Sequence, residues 1–545
     1  MSVKASSDLW WKDAIVYCLD VEMFYDLDGD GCGDLSGLTE RVDYLAGLGV
    51  SVLWLMPFYP SPNRDDGYDI TDFYAVDSTL GTLGDFVELV RTCRDRGIRV
   101  IVDFVMNHTS DQHPWFQAAR SSPDSPYRDF YVWSDERPQE KPGSVVFPDQ
   151  ETSTWAFDRK AGQYYQHSFY RHQPELNLSN PAVRDELAQV MGFWLQQGLS
   201  GFRVDAVPFL IEGALEDPHQ IVRDLRAYVN RRVGDAVLLG EVNLPPAQVR
   251  EFLGDEDGDE LHMVLDFIGN QAMYLSLARG SATPLAEALR TFPELPETAS
   301  LGRFVRNHDE LTLDKLSEEE RAEVFARFGP DESLQLYGRG LRRRLPTMLG
   351  GDQRAIRMVY SLAFSLPGTP VLFYGEEIGM AENVAIQGRY SVRAPMQWSG
   401  EHQAGFTTAE EAARPVVEDG PFGYRELNVT RQRRDPDSLL NWMERLTRRR
   451  RECPELGWGK PALLDSGDAA VFAQRSDWEG STVVAVHNLA GRDARTRLEL
   501  GGEGSLVDLF HDEEHALDEG AVSLELSPYD ARWFRVRRLG RRLPP

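Results

Sequence analysis

The sequence predicts an α/β protein built on a (β/α)8 barrel, with a subdomain inserted after the third strand and a C-terminal antiparallel β-sandwich. Three observations carry this prediction. Short, continuously apolar, β-rich runs recur up to about residue 375 and several are followed by amphipathic helices. Strands buried on both faces read as such unbroken runs, and eight strand–helix alternations are what a closed parallel barrel needs. The chain then holds one connection too long for an ordinary loop, 109–180, and past about 455 it changes to short alternating segments.

The candidate strands follow in order. "IVYCLDVEMF" precedes the helix "LTERVDYLAGLG", in which Leu38, Val42 and Leu45 share a face. "VSVLWLMPF" precedes "DFVELVRTCRDRG", with Phe86, Leu89, Val90 and Cys93 at helical spacing and Gly97 as a stop. "IRVIVDFVMNH", "GFRVDAV", "AVLLGEV", "HMVLDFI", "LGRFVRNHDE" and "GTPVLFYGEE" bring the count to eight. Residues 1–108 and 181–454 are thus the two parts of the barrel, and 109–180 is an insertion rich in aromatics and prolines. Structureless loops beyond roughly 15 residues are uncommon in compact domains, so 109–180 is expected to fold as a unit. A smaller charged insertion spans about 311–353, and "AAVFAQRS", "STVVAVHNL" and "ARWFRVRRL" mark the sandwich over 455–545.

Charge and cysteine usage narrow the partners. With 58 Lys and Arg against 87 Asp and Glu, the chain carries a formal net charge of −29. Such a balance repels phosphate backbones and anionic lipid, which disfavours nucleic acid and membrane surfaces. The basic runs Arg342 to Arg344 and Arg448 to Arg451 read as solvated helix faces. The opening residues show no signal-peptide pattern and no stretch has 18 uninterrupted apolar residues, so a cytoplasmic protein is expected. Four scattered cysteines without a CxxC suit reduced thiols. Self-association into a homo-oligomer is left open.

Functional groups of a barrel of this kind gather at the C-terminal ends of its strands. In "GFRVDAV", Arg203 and Asp205 point to one side because strand side chains alternate. By itself this is a structural ion pair. The ends of the other strands add Asn107 and His108, then Glu241, then His308 and Asp309. Several carboxylates and two histidines on one rim, without a reactive thiol or a phosphate loop, fit acetal transfer: one carboxylate attacks an anomeric carbon and another shuttles the proton. Two-metal hydrolysis is the competing chemistry; no HxH follows the first strand, and an arginine beside Asp205 opposes a divalent cation there.

"VMNH", "GFRVDAV", "GEV" and "RNHDE", in this order on these strands, resemble the four sequence regions of the α-amylase family, glycoside hydrolase family thirteen. The resemblance implies Asp205 as nucleophile, Glu241 as acid/base and Asp309 as transition-state stabiliser. It places Arg203, His108 and His308 around the −1 sugar, Tyr68 of "GYD" stacked on it, and Asp69 on its far hydroxyls. Arg393 in "VRAPMQW" is implied to pair with that aspartate and close the pocket. "RDDGYDITDFY", "NHTSDQHPWF", "AGQYYQHSFY" and "RNHDELTL" further resemble the trehalose synthases within this family, across most of residues 8 to 400. That implies isomerisation of maltose to trehalose through a covalent glucosyl intermediate, with an α-glucosidase or other hydrolase of short malto-oligosaccharides as the alternative. "QPELN" and "IQGRYSV" depart from the usual trehalose-synthase pattern.

The stretch "DLDGDGCGD" sets Asp26, Asp28, Asp30 and Asp34 among glycines, a spacing of oxygen ligands that suits Ca2+ or Mg2+. An EF-hand requires an acid at the twelfth position, which here is Gly37. The family resemblance adds a backbone carbonyl at Cys32. It also implies a second calcium on Asn107, Glu175 and backbone carbonyls near Ile211 and Glu212. Both metals are expected to be structural.

Overall fold

The computed structural model describes residues 6–140, 143–211, 217–511 and 513–538. Eight parallel strands close into a barrel: β1 (Val16–Leu19), β2 (Val52–Leu55), β3 (Arg99–Phe104), β4 (Gly201–Val204), β5 (Val237–Gly240), β6 (Met263–Leu265), β7 (Ser300–Phe304) and β8 (Thr369–Phe373). They pair in sequence order, and β8 returns to β1 with Val371 opposite Val16. Nearly every strand residue is buried, as the apolar runs require.

Local signals set the surrounding helices. Helix α1 (Leu83–Asp95) begins with a capping box between Thr82 and Asp85 and buries Phe86, Leu89, Val90 and Cys93. Helix α2 (Pro181–Gln196) starts at the Asn180 cap with proline in its first position. Its buried Trp194 donates to the Phe73 carbonyl at 2.7 Å, tying the helix to the loop after β2.

The long connection after β3 forms a helix, Pro114–Ser121, and a three-stranded antiparallel sheet of Trp133–Ser134, Gln163–Gln166 and Trp155–Asp158. The chain then returns to the rim, where Leu176 N–H donates to the Asn107 carbonyl at 2.9 Å and His108 bridges Glu175. That seam holds the insertion over the barrel mouth. The segment after β7 builds the helix Glu318–Phe328 and a second small sheet of Leu311–Thr312, Gln335–Leu336 and Gly340–Leu341.

Helix α3 (Gln353–Ser365) precedes β8, and α4 (Leu439–Arg451) ends the barrel part. Beyond α4, a six-stranded and a two-stranded antiparallel sheet enclose a core that includes Val484, Leu498, Leu506, Leu524 and Phe534. Trp533 and His487 of this unit both reach the Ser361 hydroxyl on α3, each at 3.0 Å.

The two basic runs are not uniformly solvated. Arg344 is buried and donates to the carbonyls of Tyr374 and Val392, and Arg450 donates to the Gly368 carbonyl. These bonds satisfy backbone oxygens that would otherwise be buried unpaired.

Gly201 opens β4 at φ +146°, and a Cβ there would run into the Val237 carbonyl oxygen of β5. Gly201→Ala is expected to cost on the order of 3 kcal/mol through this overpacking. Thermal melting of the variant checks it, and an unchanged midpoint would show that β4 can shift freely.

Candidate active site

A cavity of about 620 Å³ lies at the C-terminal rim, lined among others by Asp65, Tyr68, His108, Asp205, Glu241, Asp309 and Arg389. Its size suits a small molecule. Arg203 is buried against two of the lining acids, Asp205 and Glu241. One terminal nitrogen is ion-paired with Asp205 and bonds Asp103 at 2.6 Å, and the other is ion-paired with Glu241. In the register of the barrel Asp103 lies directly opposite Arg203, and its second oxygen accepts the Trp54 indole at 2.7 Å. A lone acid inside the apolar run "VIVDF" is the same signal that singled out Arg203 on the next strand.

Backbone geometry presents the carboxylates. Asp205 follows β4 directly, and Ala206 after it adopts a left-handed conformation at φ 45°, uncommon outside glycine. The turn sends the chain into a short helix, Val207–Leu210, so Asp205 stands at the rim. The Ala206 N–H faces Glu241 at 3.4 Å.

Asp309 is held from behind. Its Oδ1 accepts Arg393 at 2.9 Å and Arg389 at 3.0 Å, and its Oδ2 lies 3.1 Å from His308 Nε2. That same nitrogen is 2.9 Å from the Tyr68 hydroxyl, and the two rings are nearly parallel at 5.9 Å. His108 Nε2 meets the Tyr68 carbonyl at 3.2 Å. Of the sequence-derived set, Tyr68, His108, Asp205, Glu241 and Asp309 line the cavity, and Arg203, His308 and Arg393 are buried against those acids; Asp69 is the exception.

Asp69 does not face that cavity. Its carboxylate accepts the Ser61 hydroxyl at 2.9 Å and the Asp65 backbone N–H at 3.1 Å, and it is fully buried. Asp65 faces the cavity instead, ion-paired with Arg389 and bonded by the Tyr390 hydroxyl at 3.0 Å. Arg393 pairs with Asp66 and Asp309, not Asp69. The cause is the tight turn Asp65–Tyr68, closed by Tyr68 N–H to the Asp65 carbonyl at 3.0 Å. Both its central residues are left-handed, Asp66 at φ 54° and Gly67 at φ 88°, the pattern of a type I′ turn. It turns Asp65 and Tyr68 inward and Asp66 to the rear.

Behind Asp66 stands Arg414, which sequence reading passed over. Asp66 is ion-paired with both Arg393 and Arg414, and Arg414 lies 4.0 Å from Asp20 and from Glu22. Burial would raise Asp66, but the two guanidinium groups override it and hold the acid below its ordinary range. The relay Arg414–Asp66–Arg393–Asp309 braces the last carboxylate of the site.

Burial dominates the titration of the site. It raises Asp205 to about 6, against the pull of Arg203 and with help from the nearby Asp103 charge. Arg203 does not hold Asp205 in the ordinary carboxylate range, because it divides its charge among three carboxylates. Burial also raises Glu241. Asp309 goes the other way: burial opposes ionisation, yet His308, Arg389 and Arg393 hold it well below the usual range. His108 is lowered to about 4 by burial, so it stays neutral near pH 7. Carboxylates whose environments separate their proton affinities are arranged for distinct acid and base roles.

At the candidate metal loop, carboxylate oxygens of Asp26, Asp28 and Asp34 lie within 4.8 Å of one another. Asp30 turns away: its carboxylate accepts the Cys32 N–H at 2.8 Å, closing a turn. Asp34 also caps the following short helix at the Gly37 N–H, and Asp26 accepts the N–H groups of Gly29 and Gly31. At the second expected position Glu175 accepts Gln166 and Ser168 beside Asn107. Ile211 follows the helix after β4, and Glu212 lies outside the described residues.

The family description "Alpha amylase, catalytic domain" matches residues 21–326 and 341–459. The chain belongs to the α-amylase family. A "Sucrose hydrolase-like, C-terminal domain" matches 480–535, within the terminal sandwich. "Trehalose synthase/amylase TreS" of Mycolicibacterium smegmatis is 43% identical over 501 residues, covering 88% of this chain and 84% of that protein. "Trehalose synthase" of Pimelobacter sp. is 39% identical over 549 residues, covering 97% and 96%. Among solved structures, the trehalulose synthase MutB from Pseudomonas mesoacidophila superposes with a TM-score of 0.77 at 28% identity, covering 97% of this chain and 99% of that one. Variants of MutB have been solved with isomaltulose and with glucose bound. This α-amylase family chain therefore carries its Asp205, Glu241 and Asp309 on the family's catalytic domain.

Proposed function

We propose that the chain is a retaining α-glucoside-acting transglucosidase whose main reaction converts maltose to trehalose. The observation that carries the mechanism is the shared guanidinium of Arg203. One side chain holds Asp205 and Glu241 together, a compact pairing that suits retaining chemistry, in which the two carboxyls stand about 5 Å apart. The identity with trehalose synthases over most of the chain supports the choice of reaction.

The steps follow from the protonation states. Ionised Asp205 attacks the anomeric carbon while protonated Glu241 gives its proton to the departing glycosidic oxygen, leaving a β-linked glucosyl–enzyme and free glucose. Asp309, held ionised, stabilises the positive charge that develops at the anomeric centre. The freed glucose turns within the cavity, Glu241 takes the proton from its anomeric hydroxyl, and that oxygen displaces Asp205 to form the α,α-1,1 linkage. Water taking the same place gives glucose as a side product.

Incubation of the purified protein with maltose, followed by chromatography of the disaccharides, is expected to yield trehalose. Glucose as the sole product would identify a hydrolase instead. The acid limb of kcat/KM is expected near pH 6, where Asp205 takes up a proton, and the alkaline limb reflects loss of the proton from Glu241. A pH–rate profile flat from 5 to 7 would contradict the assignment of Asp205.

We further propose a structural hard cation, Ca2+ or Mg2+, on Asp26, Asp28 and Asp34. Among the described residues no lysine or arginine pairs with these three converging acids, and oxygen donors are what such ions accept. The loop is stitched to a remote segment through Asp26 N–H to the Phe406 carbonyl and Gly31 carbonyl to the Ala413 N–H. A cation there would fasten both. Chelation is expected to lower the melting midpoint by a few degrees, with recovery on adding Ca2+. Identical melts with chelator and with Ca2+ would remove the ion from the account. The supply of reduced thiols, all four cysteines being free, suits a cytoplasmic enzyme.

A further inference from the structure

Six charges alternate in a chain beside the cavity. Asp65 pairs with Arg389, Arg389 with Asp309, Asp309 with Arg393, Arg393 with Asp66, and Asp66 with Arg414. Asp65, Arg389 and Asp309 line the cavity itself. The alternation balances the charges but crowds the cations: Arg389 and Arg393 both donate to one oxygen, Asp309 Oδ1, at 3.0 and 2.9 Å. Arg414 in turn lies 3.5 Å from the Arg393 carbonyl. Like charges at such spacing repel, and more strongly in a buried site than in water.

Tyr390 stands among these cations. The guanidinium carbons of Arg389, Arg393 and Arg414 lie 5.6, 5.1 and 5.6 Å from its ring centroid. Its hydroxyl donates to Asp65 Oδ1 at 3.0 Å. The ring is half-buried yet takes no part in the main apolar core, so hydrophobic packing does not account for it. Burial, helped by the Asp65 charge, pushes the hydroxyl far above its ordinary range and keeps it a donor. The backbone is held independently of this side chain. Tyr390 belongs to the short helix Gly388–Val392, whose Val392 carbonyl accepts Arg344 at 2.9 Å, and the Ser391 hydroxyl donates to the Arg342 carbonyl at 3.1 Å.

We infer that Tyr390 is a positioning residue with two separable tasks: its ring gathers Arg389, Arg393 and Arg414, and its hydroxyl aims Asp65 at the substrate. The inference rests on the reading that the cavity accepts an α-glucoside. An aromatic ring attracts guanidinium groups through its quadrupole and adds no charge of its own, so it offsets the repulsion among the three cations. A carboxylate in its place would compete with Asp309 for them. Through Arg389 and Arg393 the ring acts on Asp309, whose charge matters in the transition state. The hydroxyl acts elsewhere. Together with Arg389 it holds one oxygen of Asp65, while Gln173 holds the other at 2.8 Å, which fixes the orientation of an acid that faces a sugar hydroxyl. The ring is thus assigned to kcat and the hydroxyl to binding.

Steady-state cleavage of 4-nitrophenyl α-glucoside separates the two tasks, because it reports α-glucoside turnover whichever product maltose gives. Tyr390→Phe keeps the ring and loses the hydroxyl; it is expected to raise KM about tenfold and to lower kcat by less than about threefold. Tyr390→Leu loses both, and kcat is expected to fall about thirtyfold or more as Arg389 and Arg393 loosen from Asp309. In an Asp65→Ala background, where the hydroxyl has lost its partner, adding Tyr390→Phe is expected to change KM by less than about twofold. A rise in KM that persists in that background, or equal kcat in the Phe and Leu variants, would overturn the assignment. A parent that cleaves no α-glucoside would overturn it together with the reading it rests on. Cleavage of the nitrophenyl glucoside without trehalose from maltose would unseat the isomerase reading alone.

Discussion

Asp205→Ala is expected to lower kcat on maltose by about 10⁴-fold or more, because it removes the atom that forms the covalent intermediate rather than a contact that assists it. The fold should survive. Arg203 keeps Asp103 and Glu241 as partners, so the substitution strands no buried charge, the usual cause of a large loss when one member of a buried pair is deleted. The space left beneath the anomeric carbon suits a small anion. With azide present, an α-glucosyl substrate is expected to give β-glucosyl azide, since azide attacks from the side Asp205 occupied while Glu241 still protonates the leaving oxygen. Recovery of an α-azide, or activity of the unaided variant within tenfold of the parent, would place the nucleophile elsewhere.

Glu241→Gln is expected to lower kcat on maltose by about 10³-fold, within the usual range for a proton-transfer group. The effect should depend on the leaving group. α-Glucosyl fluoride departs with little protonation, so its first step persists in the variant, and the glucosyl–enzyme then accumulates because no base activates the acceptor. Intact mass spectrometry would detect the added glucosyl unit. The alkaline limb of the pH profile should vanish as well, since burial keeps Glu241 protonated to higher pH than an exposed glutamate and the amide has no proton to lose. Equal losses on maltose and on the fluoride would mean that Glu241 only positions the substrate.

Each of these effects involves a residue that could be read from the chain, and the reasons are local. Strand alternation puts Arg203 and Asp205 on one side, and the termini of successive apolar runs mark the rim. The same alternation covers Asp103, whose position inside "VIVDF" marks it as a partner for a charge on the next strand. Arg389 was harder to find: it sits in "IQGRYSV", the segment that departs from the trehalose-synthase pattern, yet it reaches both Asp65 and Asp309. Its role comes from contacts over separations of 324 and 80 residues.

Asp65 and Asp69 show where local reading ends. Both flank the same tyrosine in "DDGYD", and spacing alone gives no preference between them. The left-handed conformations of Asp66 and Gly67 decide the matter by turning the first acid toward the cavity. Arg414 and Arg393 then fix Asp66 at the rear, drawing on segments near residues 20 and 309.

The order of strands, the acids and histidines at their ends, and the family of the chain were determined by the sequence alone, because a strand's period and a barrel's alternation are properties of neighbouring residues. The tertiary structure alone decided which acid of the "DDGYD" turn faces the sugar site, how one guanidinium serves three carboxylates, and that burial raises Asp205 to about 6. These depend on dielectric surroundings and on charges brought together from distant parts of the chain, and no local period encodes either.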